Sequence, residues 1–363
     1  MFYHLLYPLK GFFSPLNVFQ YITFRSFGAI FTSFVLGVFF TGYLIKYLRQ
    51  HSITQPIRED GPQSHILKKQ GTPTMGGIAI LASIVISTIL WARLDNRFIL
   101  WLIAGVILLG LLGFADDYLK HVKKNSRGLS PYEKIAGQLA LALAVSLYVT
   151  YLRPPNAEFA TRINIPYLKN IYLDLGYGYL FFSMLVVMGA SNGVNLTDGL
   201  DGLAIGNLIV AAFTLSIFAY LAGNVRFSQY LKLIYVPGAG EITVFLAAML
   251  GTGLGFLWYN SNPAEIFMGD TGSLFLGGAL GLVAIFIKQE ILLAIIGGVF
   301  IVEVLSVIIQ VNFYKRTGKR IFRMAPVHHH FELLGWAEQK VTIRFIIVAV
   351  MLSLVAIASL KLR

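Results

Sequence analysis

Ten apolar runs, each about 20 residues long, constrain this chain more than any other feature. They fall at 27–47, 73–92, 98–115, 134–152, 171–191, 199–221, 241–259, 271–288, 291–313 and 342–360. About 20 apolar residues in helical form cross the hydrocarbon layer of a bilayer, whereas a barrel strand needs about half that. Lipid offers no partner to an unpaired backbone N–H or C=O, so runs of this length resolve as helices. Of the 363 residues, 56% are hydrophobic and 13% charged, and mean hydropathy is +0.71. A soluble domain carries about 25% charged residues. The expectation is an all-α integral membrane protein of about ten transmembrane helices. No gap between runs is wide enough for a separate soluble unit, so residues 1–363 form one polytopic domain. Cysteine is absent, which excludes disulfides and thiolate metal sites.

The net charge of +12 is not the footprint of a nucleic-acid binder, because the bases alternate from loop to loop. One set of loops holds Lys46, Arg49, Arg58, Lys68 and Lys69, then Lys120, Lys123, Lys124, Arg127 and Lys134, then Lys315, Arg316, Lys319, Arg320, Arg323 and Lys340. The other set holds fewer: Arg93, Arg97, Arg153, Arg162, Lys169, Arg226, Lys232 and Lys288. Basic loops stay in the cytoplasm, so ten spans put both termini outside. The excess charge also attracts anionic lipid head groups or anionic substrates. Residues 1–16 lack a cationic start followed by a clean apolar run, so they read as an interfacial lead-in to the first span rather than a signal peptide. Pro154, Pro155 and Pro166 predict a turn or hairpin in the loop at 153–170, and the basic start of the loop at 314–341 extends the ninth helix. No internal repeat is evident, which disfavours transporters built from two matched halves.

Five polar clusters sit at the ends of these runs, all on the cytoplasmic side of the expected topology. Charge near lipid is expensive and is kept for a task. Asp116-Asp117 closes the third span, where a helix dipole favours cations. Either this is a solvated helix end, or a divalent cation, a lysine or a substrate neutralises the pair. In Asn192-Gly-Val-Asn195-Leu-Thr-Asp198-Gly-Leu-Asp201-Gly202, ordinary helix-start chemistry competes with ligand binding. Glycines permitting close backbone approach, amides at 192 and 195, and acids at i, i+3 suit a phosphate or a uracil on a turn that opens a helix. The segment is not a P-loop. In Asn260 to Gly272, Asp270 is either an N-cap or a magnesium ligand acting with Asp116 or Asp117, and Phe267 is either buried or stacked on a base. His328-His329-His330 do not easily all ligate one metal; they are either imidazoles suited to proton handling and anion contact near pH 7 or, less favoured, part of a zinc site. Lys68-Lys69-Gln70-Gly71-Thr72-Pro73-Thr74 is either a positive-inside anchor or a cap whose Lys69 and Thr74 face a phosphate. Glu303, within the ninth span, is either a hydrogen-bonded structural acid or the coupling residue of a transporter.

Taken together, these strings resemble the phospho-N-acetylmuramoyl-pentapeptide transferase family, within the polyprenyl-phosphate N-acetylhexosamine-1-phosphate transferases. The resemblance rests on Lys69-Gln-Gly-Thr-Pro-Thr-Met-Gly-Gly77, Gly113-Phe-Ala-Asp-Asp117, Asn192 to Gly202, Phe267-Met-Gly-Asp-Thr-Gly272 and Ala325-Pro-Val-His-His-His-Phe-Glu332, in that order. It implies a Mg²⁺-dependent enzyme of the bacterial cytoplasmic membrane, commonly homodimeric. The implied reaction moves phospho-N-acetylmuramoyl-pentapeptide from its UDP carrier to undecaprenyl phosphate, giving lipid I and UMP, with no nucleic acid involved. In that frame Asp270 is the metal ligand. Asp117, with Asp116 beside it, contacts or deprotonates the lipid phosphate or forms an aspartyl-phosphate. His329 joins the catalytic set. Lys69, Thr74, Asn192, Asn195, Asp198, Asp201, Asn260, Phe267, His328 and His330 bind substrate. The nearest alternative is a transferase moving N-acetylglucosamine-1-phosphate to the same lipid, separable by assaying both UDP-sugars. A transporter of lipid-linked sugar is the alternative from another class, and would place its coupling residues at mid-membrane.

Overall fold

The computed structural model describes residues 1–51, 53, 71–123, 128–152, 156–168 and 171–361. The apolar runs become helices α1 (Ile22–Gln50), α2 (Gly77–Trp91), α3 (Arg97–Asp117), α4 (Pro131–Leu147), α5 (Gly178–Thr197), α6 (Leu203–Ala222), α7 (Ile242–Asn260), α8 (Gly269–Phe286) and α9 (Gly298–Thr317). A short helix, α10 (Val327–Leu333), carries the histidines and precedes α11 (Glu338–Ala358). Among the described residues, nine helices are long and apolar enough to cross a membrane. The run at 73–92 is the exception, because α2 has only 15 residues. Its expected first turn is instead extended: Phe267 N donates to Pro73 O, while Gly76 N and Gly77 N donate to Phe267 O and Met268 O. The run at 291–313 is also divided. A short helix at Glu290–Ile296 ends at Gly297, where α9 begins.

Packing centres on α8, in which every residue from Thr271 to Phe286 is buried. Helices α3 and α5 flank it, α1 lies along α7, and α6 packs between α7 and α11. Lipid provides no hydrophobic drive between helices, so close backbone approach through small residues carries this packing. A Cβ on Gly113 would lie 2.2 Å from Asp270 O, and one on Gly277 would lie 2.3 Å from Ala190 O. The outer faces of α1, α9 and α11 expose Phe31, Phe39, Leu305 and Leu354, an apolar surface suited to lipid rather than water.

The two ends of the bundle differ. At one end, α3 finishes and α8 starts. At the other, β1 (Arg162–Asn164) and β2 (Tyr172–Asp174) pair antiparallel with Arg162 opposite Asp174, the hairpin that the prolines predict. Met1 and Lys361 also lie at this second end, where the Met1 ammonium donates to Ile89 O and Lys361 to the Tyr230 hydroxyl.

Candidate active site

The first amides of any helix have no partner within it, and the dipole there attracts a carboxylate. Helix α8 has no capping side chain of its own. Asp117, at the end of α3, supplies the cap. Its Oδ1 accepts from Asp270 N at 3.2 Å, and its Oδ2 accepts from Thr271 N at 2.8 Å and Thr271 Oγ1 at 2.6 Å. The approach depends on Gly269 (φ +75°), where a Cβ would lie 2.6 Å from Asp117 Oδ2. Asp270 is therefore not an N-cap. It lies in the first turn of α8 with its side chain directed elsewhere.

Asp116 is fully buried and points the other way. Its Oδ1 accepts from Leu129 N at 2.8 Å, and its Oδ2 lies 2.5 Å from Lys120 Nζ and 2.7 Å from Lys134 Nζ. The same ammonium groups serve Asp270, whose Oδ2 is 2.6 Å from Lys134 and 3.4 Å from Lys120. Asp270 Oδ1 accepts from Asn195 Nδ2 at 2.9 Å, and that amide also reaches Ser273 Oγ at 2.8 Å. Asp116 and Asp270 thus share two ammonium groups, and with Asp117 beside them the cluster carries a formal excess of one negative charge. One oxygen from each of Asp116, Asp117 and Asp270 lies within 4.8 Å of the others. Hard oxygen donors at this spacing fit a small divalent cation. The side chains of Asp270, Lys120 and Lys134 are 21%, 24% and 23% exposed, whereas Asp116 and Asp117 are buried. Asp270 and the lysines therefore form the open face of the cluster.

The segment from Asn192 to Asp201 differs from the helix-opening turn expected of it. Asn192 and Asn195 lie in the last turns of α5, which runs to Thr197, and Asp198 and Asp201 lie in the turn before α6 rather than on a helix face. The apolar residues of α5 continue through Val194 and Leu196, so the helix does not stop at the first asparagine. Asn192 Nδ2 donates to Gln138 Oε1 at 2.9 Å and to Met188 O, fixing α5 to α4. Asp201 Oδ2 accepts from Asn262 Nδ2 at 2.9 Å and Ala264 N at 3.1 Å, while Asp201 N donates to Glu338 Oε1 at 2.8 Å. Asn260 Oδ1 accepts from Gly202 N at 3.1 Å, and its Nδ2 donates to Ile266 O at 2.8 Å. Asp201 and Asn260 therefore lock the 198–202 turn to the 260–268 loop.

The histidines separate. His328 is buried with Nδ1 3.1 Å from Glu303 Oε2. His329 Nδ1 lies 2.8 Å from Glu332 Oε2, and His330 Nδ1 accepts from Arg323 N at 3.1 Å. Phe267 is half-buried beside Pro73. Thr74 is buried, and its hydroxyl lies 3.3 Å from where a Gly269 Cβ would stand. Lys69 lies outside the described residues. All five clusters, in their described parts, meet at one end of the bundle. The sequence reading missed Lys134, Lys120, Thr271, Gln138 and Glu338 as members of the site. Lys120 has a legible signal, the i, i+4 spacing from Asp116. Lys134 has a subtler one, a cation in the first turn of α4, where the dipole disfavours it.

Known proteins resemble this chain over its full length. A family model for glycosyl transferase family 4 matches residues 99–288, more than half the chain. A signature of phospho-N-acetylmuramoyl-pentapeptide-transferase matches residues 69–81. Proteins bearing that name from Endomicrobium trichonymphae, Citrifermentans bemidjiense and Thermodesulfovibrio yellowstonii are 56%, 55% and 50% identical, over 100% of this chain and 100% of each relative.

Proposed function

The chain belongs to the phospho-N-acetylmuramoyl-pentapeptide-transferase family, and on that footing we propose that it moves phospho-N-acetylmuramoyl-pentapeptide from UDP to undecaprenyl phosphate, releasing UMP and forming lipid I. Within this chain, the observation that carries the reading is the Asp116–Asp117–Asp270 cluster with Lys120 and Lys134 on its open face. A phosphate oxygen of the lipid attacks the phosphorus attached to the sugar, and the bond from that phosphorus to the oxygen of UMP breaks. Such transfers depend on positioning and on charge neutralisation. Lys120 and Lys134, partly exposed and shared between two acids, are placed to meet the diphosphate. Asp270, with Asp116 and Asp117, would hold Mg²⁺, which when bound supplies Lewis-acid neutralisation of the diphosphate.

A phosphate monoester has its second pKa near 6, so the acceptor is largely dianionic at neutral pH and asks little of a base. Asp117 acts here by fixing the start of α8, and hence Asp270, beside the reacting phosphates. An aspartyl-phosphate route would require Asp117 to give up its bonds to α8. Asp198, Asp201, Asn192, Asn195, Asn260 and Phe267 shape the uridine and diphosphate pocket, Asp201 and Asn260 by bracing its loops. Thr74 supports the start of α8, Lys69 adds a cation for the phosphates, and His329 and His330 meet phosphate or sugar.

The cluster end faces the cytoplasm of a bacterial inner membrane, since Lys46, Arg49, Lys120, Lys134, Lys315 and Arg316 all belong to that end. Both termini are then outside, and the enzyme works as a homodimer. The decisive test is release of radiolabelled UMP by purified protein, expected only when the UDP-substrate, lipid phosphate and Mg²⁺ are all present. No release under those conditions overturns the reading. Because the chain has no cysteine, cysteines introduced at the exposed positions Lys319 and Tyr177 report orientation. Labelling of both by an impermeant thiol reagent from the same side contradicts it. Chemical cross-linking in membranes measures dimerisation.

A further inference from the structure

Glu303 and His328 form a buried pair that the transfer chemistry leaves unexplained. Both side chains are inaccessible to solvent, at 0% and 1% exposure. Their 3.1 Å approach has ion-pair distance without hydrogen-bond alignment. Among the described residues, neither oxygen of Glu303 and neither nitrogen of His328 has a hydrogen-bond partner. Burying two ionisable groups in helices surrounded by lipid is unfavourable, and a well-packed apolar pair would serve stability as well or better. Stability alone does not account for the pair.

The opposite edge of the imidazole identifies the task. A Cβ on Gly199 would lie 2.3 Å from His328 Nε2 and 2.9 Å from Cε1. The ring is wedged between Glu303, within α9, and the backbone of the turn carrying Asp198 and Asp201. Gly199 is not in the left-handed region, so it is glycine for space and not for conformation. The far side of the same turn is held through Asp201 N to Glu338 and through Gly202 N to Asn260. His328 packs against the same turn at Gly199.

We propose that Glu303 is a positioning residue for nucleotide binding. It orients His328, and His328 sets the height of the 198–201 turn and so the position of Asp198 within the pocket. This rests on the assignment of that turn to the uridine and diphosphate of the UDP-substrate. In this scheme His328 acts as a buttress and touches no substrate, unlike its neighbours His329 and His330. Glu303 also needs no transport role, because its carboxyl group faces a histidine.

Two measurements test it separately. The first does not depend on activity. Gly199→Ala is made in the wild-type background and in His328→Ser, and thermal unfolding midpoints are recorded in detergent. The wedge predicts that Gly199→Ala lowers the midpoint when His328 is present and leaves it nearly unchanged when the smaller serine side chain makes room. An equal drop in both backgrounds overturns the contact. The second is kinetic. Glu303→Ala should raise KM for the UDP-substrate about tenfold, the size of one misplaced hydrogen bond to substrate, with KM for the lipid phosphate unchanged. Glu303→Gln keeps a partner for His328 and should restore most of that loss. A fall in kcat with KM unmoved, or equal damage from Gln and Ala, overturns the positioning role. Absence of UMP release by the wild type would instead defeat the functional assignment, while the unfolding cycle still decides the wedge.

Discussion

Charged residues are buried at both ends of this bundle, yet the two ends are built differently. Away from the acidic cluster, Arg25 meets Glu241 through two bonds of 2.7 and 2.6 Å, with side chains only 1% and 7% exposed, and Glu241 also accepts from Arg93 N. Nearby in the same layer, Lys288 lies 3.3 Å from Glu290, donates to Ala160 O and sits 3.8 Å above the Tyr179 ring, while Tyr179 donates to Glu290. Each base there has one acid, in a closed setting. At the other end, Asp116 and Asp270 share two lysines, Asp117 adds a third carboxylate held by the amides of α8, and Asp270, Lys120 and Lys134 stay partly open. A balanced, closed pair fastens helices together. An unbalanced, half-open cluster has capacity left for a cation and a polyanion, which is what a phosphoryl-transfer site requires. Burial of charge therefore does not by itself mark a site; imbalance and access do.

The sharpest way to break this contrast is to neutralise one member at each end. Asp270→Asn should reduce UMP release by at least about 1000-fold, more than about 4 kcal/mol in the barrier, while the unfolding midpoint stays near wild type. Substantial turnover by that variant would remove Asp270 from the metal role. Arg25→Ala should do the reverse. Leaving Glu241 buried without its partner destabilises by about 3 kcal/mol or more, while the folded fraction keeps its specific activity. The double replacement Arg25→Met with Glu241→Met should recover most of that stability, as measured by unfolding in detergent. Failure to recover would mean that the pair does more than fasten α1 to the start of α7.

Much of this contrast is legible in the sequence, and the reason is local. Apolar runs announce helices because lipid removes every alternative, so α1, α3 and α8 begin and end within a few residues of their expected limits. Acids at run ends are conspicuous for the same reason, which is how Asp116, Asp117 and Asp270 come to notice. What the sequence conceals is pairing across the fold. Lys134 reads as a cytoplasmic anchor until Asp270, 136 positions later, is found beside it. Asp117 reads as a reactive acid until its oxygens are found on the amides of α8. The Asn192–Thr197 segment reads as a turn because asparagine and glycine favour turns. It is helical because side-chain bonds to Gln138, Asp270 and Ser273 satisfy those amides within the packed helix.

A smaller effect sharpens the role of Asp117. Thr271→Val removes the 2.6 Å hydroxyl bond but leaves the 2.8 Å bond from Thr271 N. A single hydrogen bond to a charged group contributes about 1.5 to 3 kcal/mol, so kcat should fall about tenfold, less than for Asp270→Asn. Unchanged kcat would mean that the backbone bonds alone hold the cap. If Asp117 instead formed a covalent intermediate, the protein given labelled UDP-substrate without lipid phosphate would release UMP and hold the labelled phospho-sugar after acid quench. The capping role predicts neither.

The mildest expectation concerns pH at the closed end, where Lys288 departs from its ordinary value in a way that proton linkage can read. Burial pushes its ammonium below the usual lysine value of 10.5, against the opposing pull of Glu290. In the unfolded chain that lysine returns to its ordinary value. Between the two values the unfolded chain binds more protons than the folded one, so stability rises with pH through that window and is insensitive to Lys288 below it. Lys288→Met abolishes the proton difference and should flatten the rise, which unfolding midpoints recorded from neutral pH up to the lysine range will measure. Activity per folded molecule should not follow the same curve, because the acidic cluster lies at the other end of α8. A Lys288→Met variant that keeps the full rise would assign it to other bases, and one that loses UMP release would show that the closed end is coupled to the open one through α8.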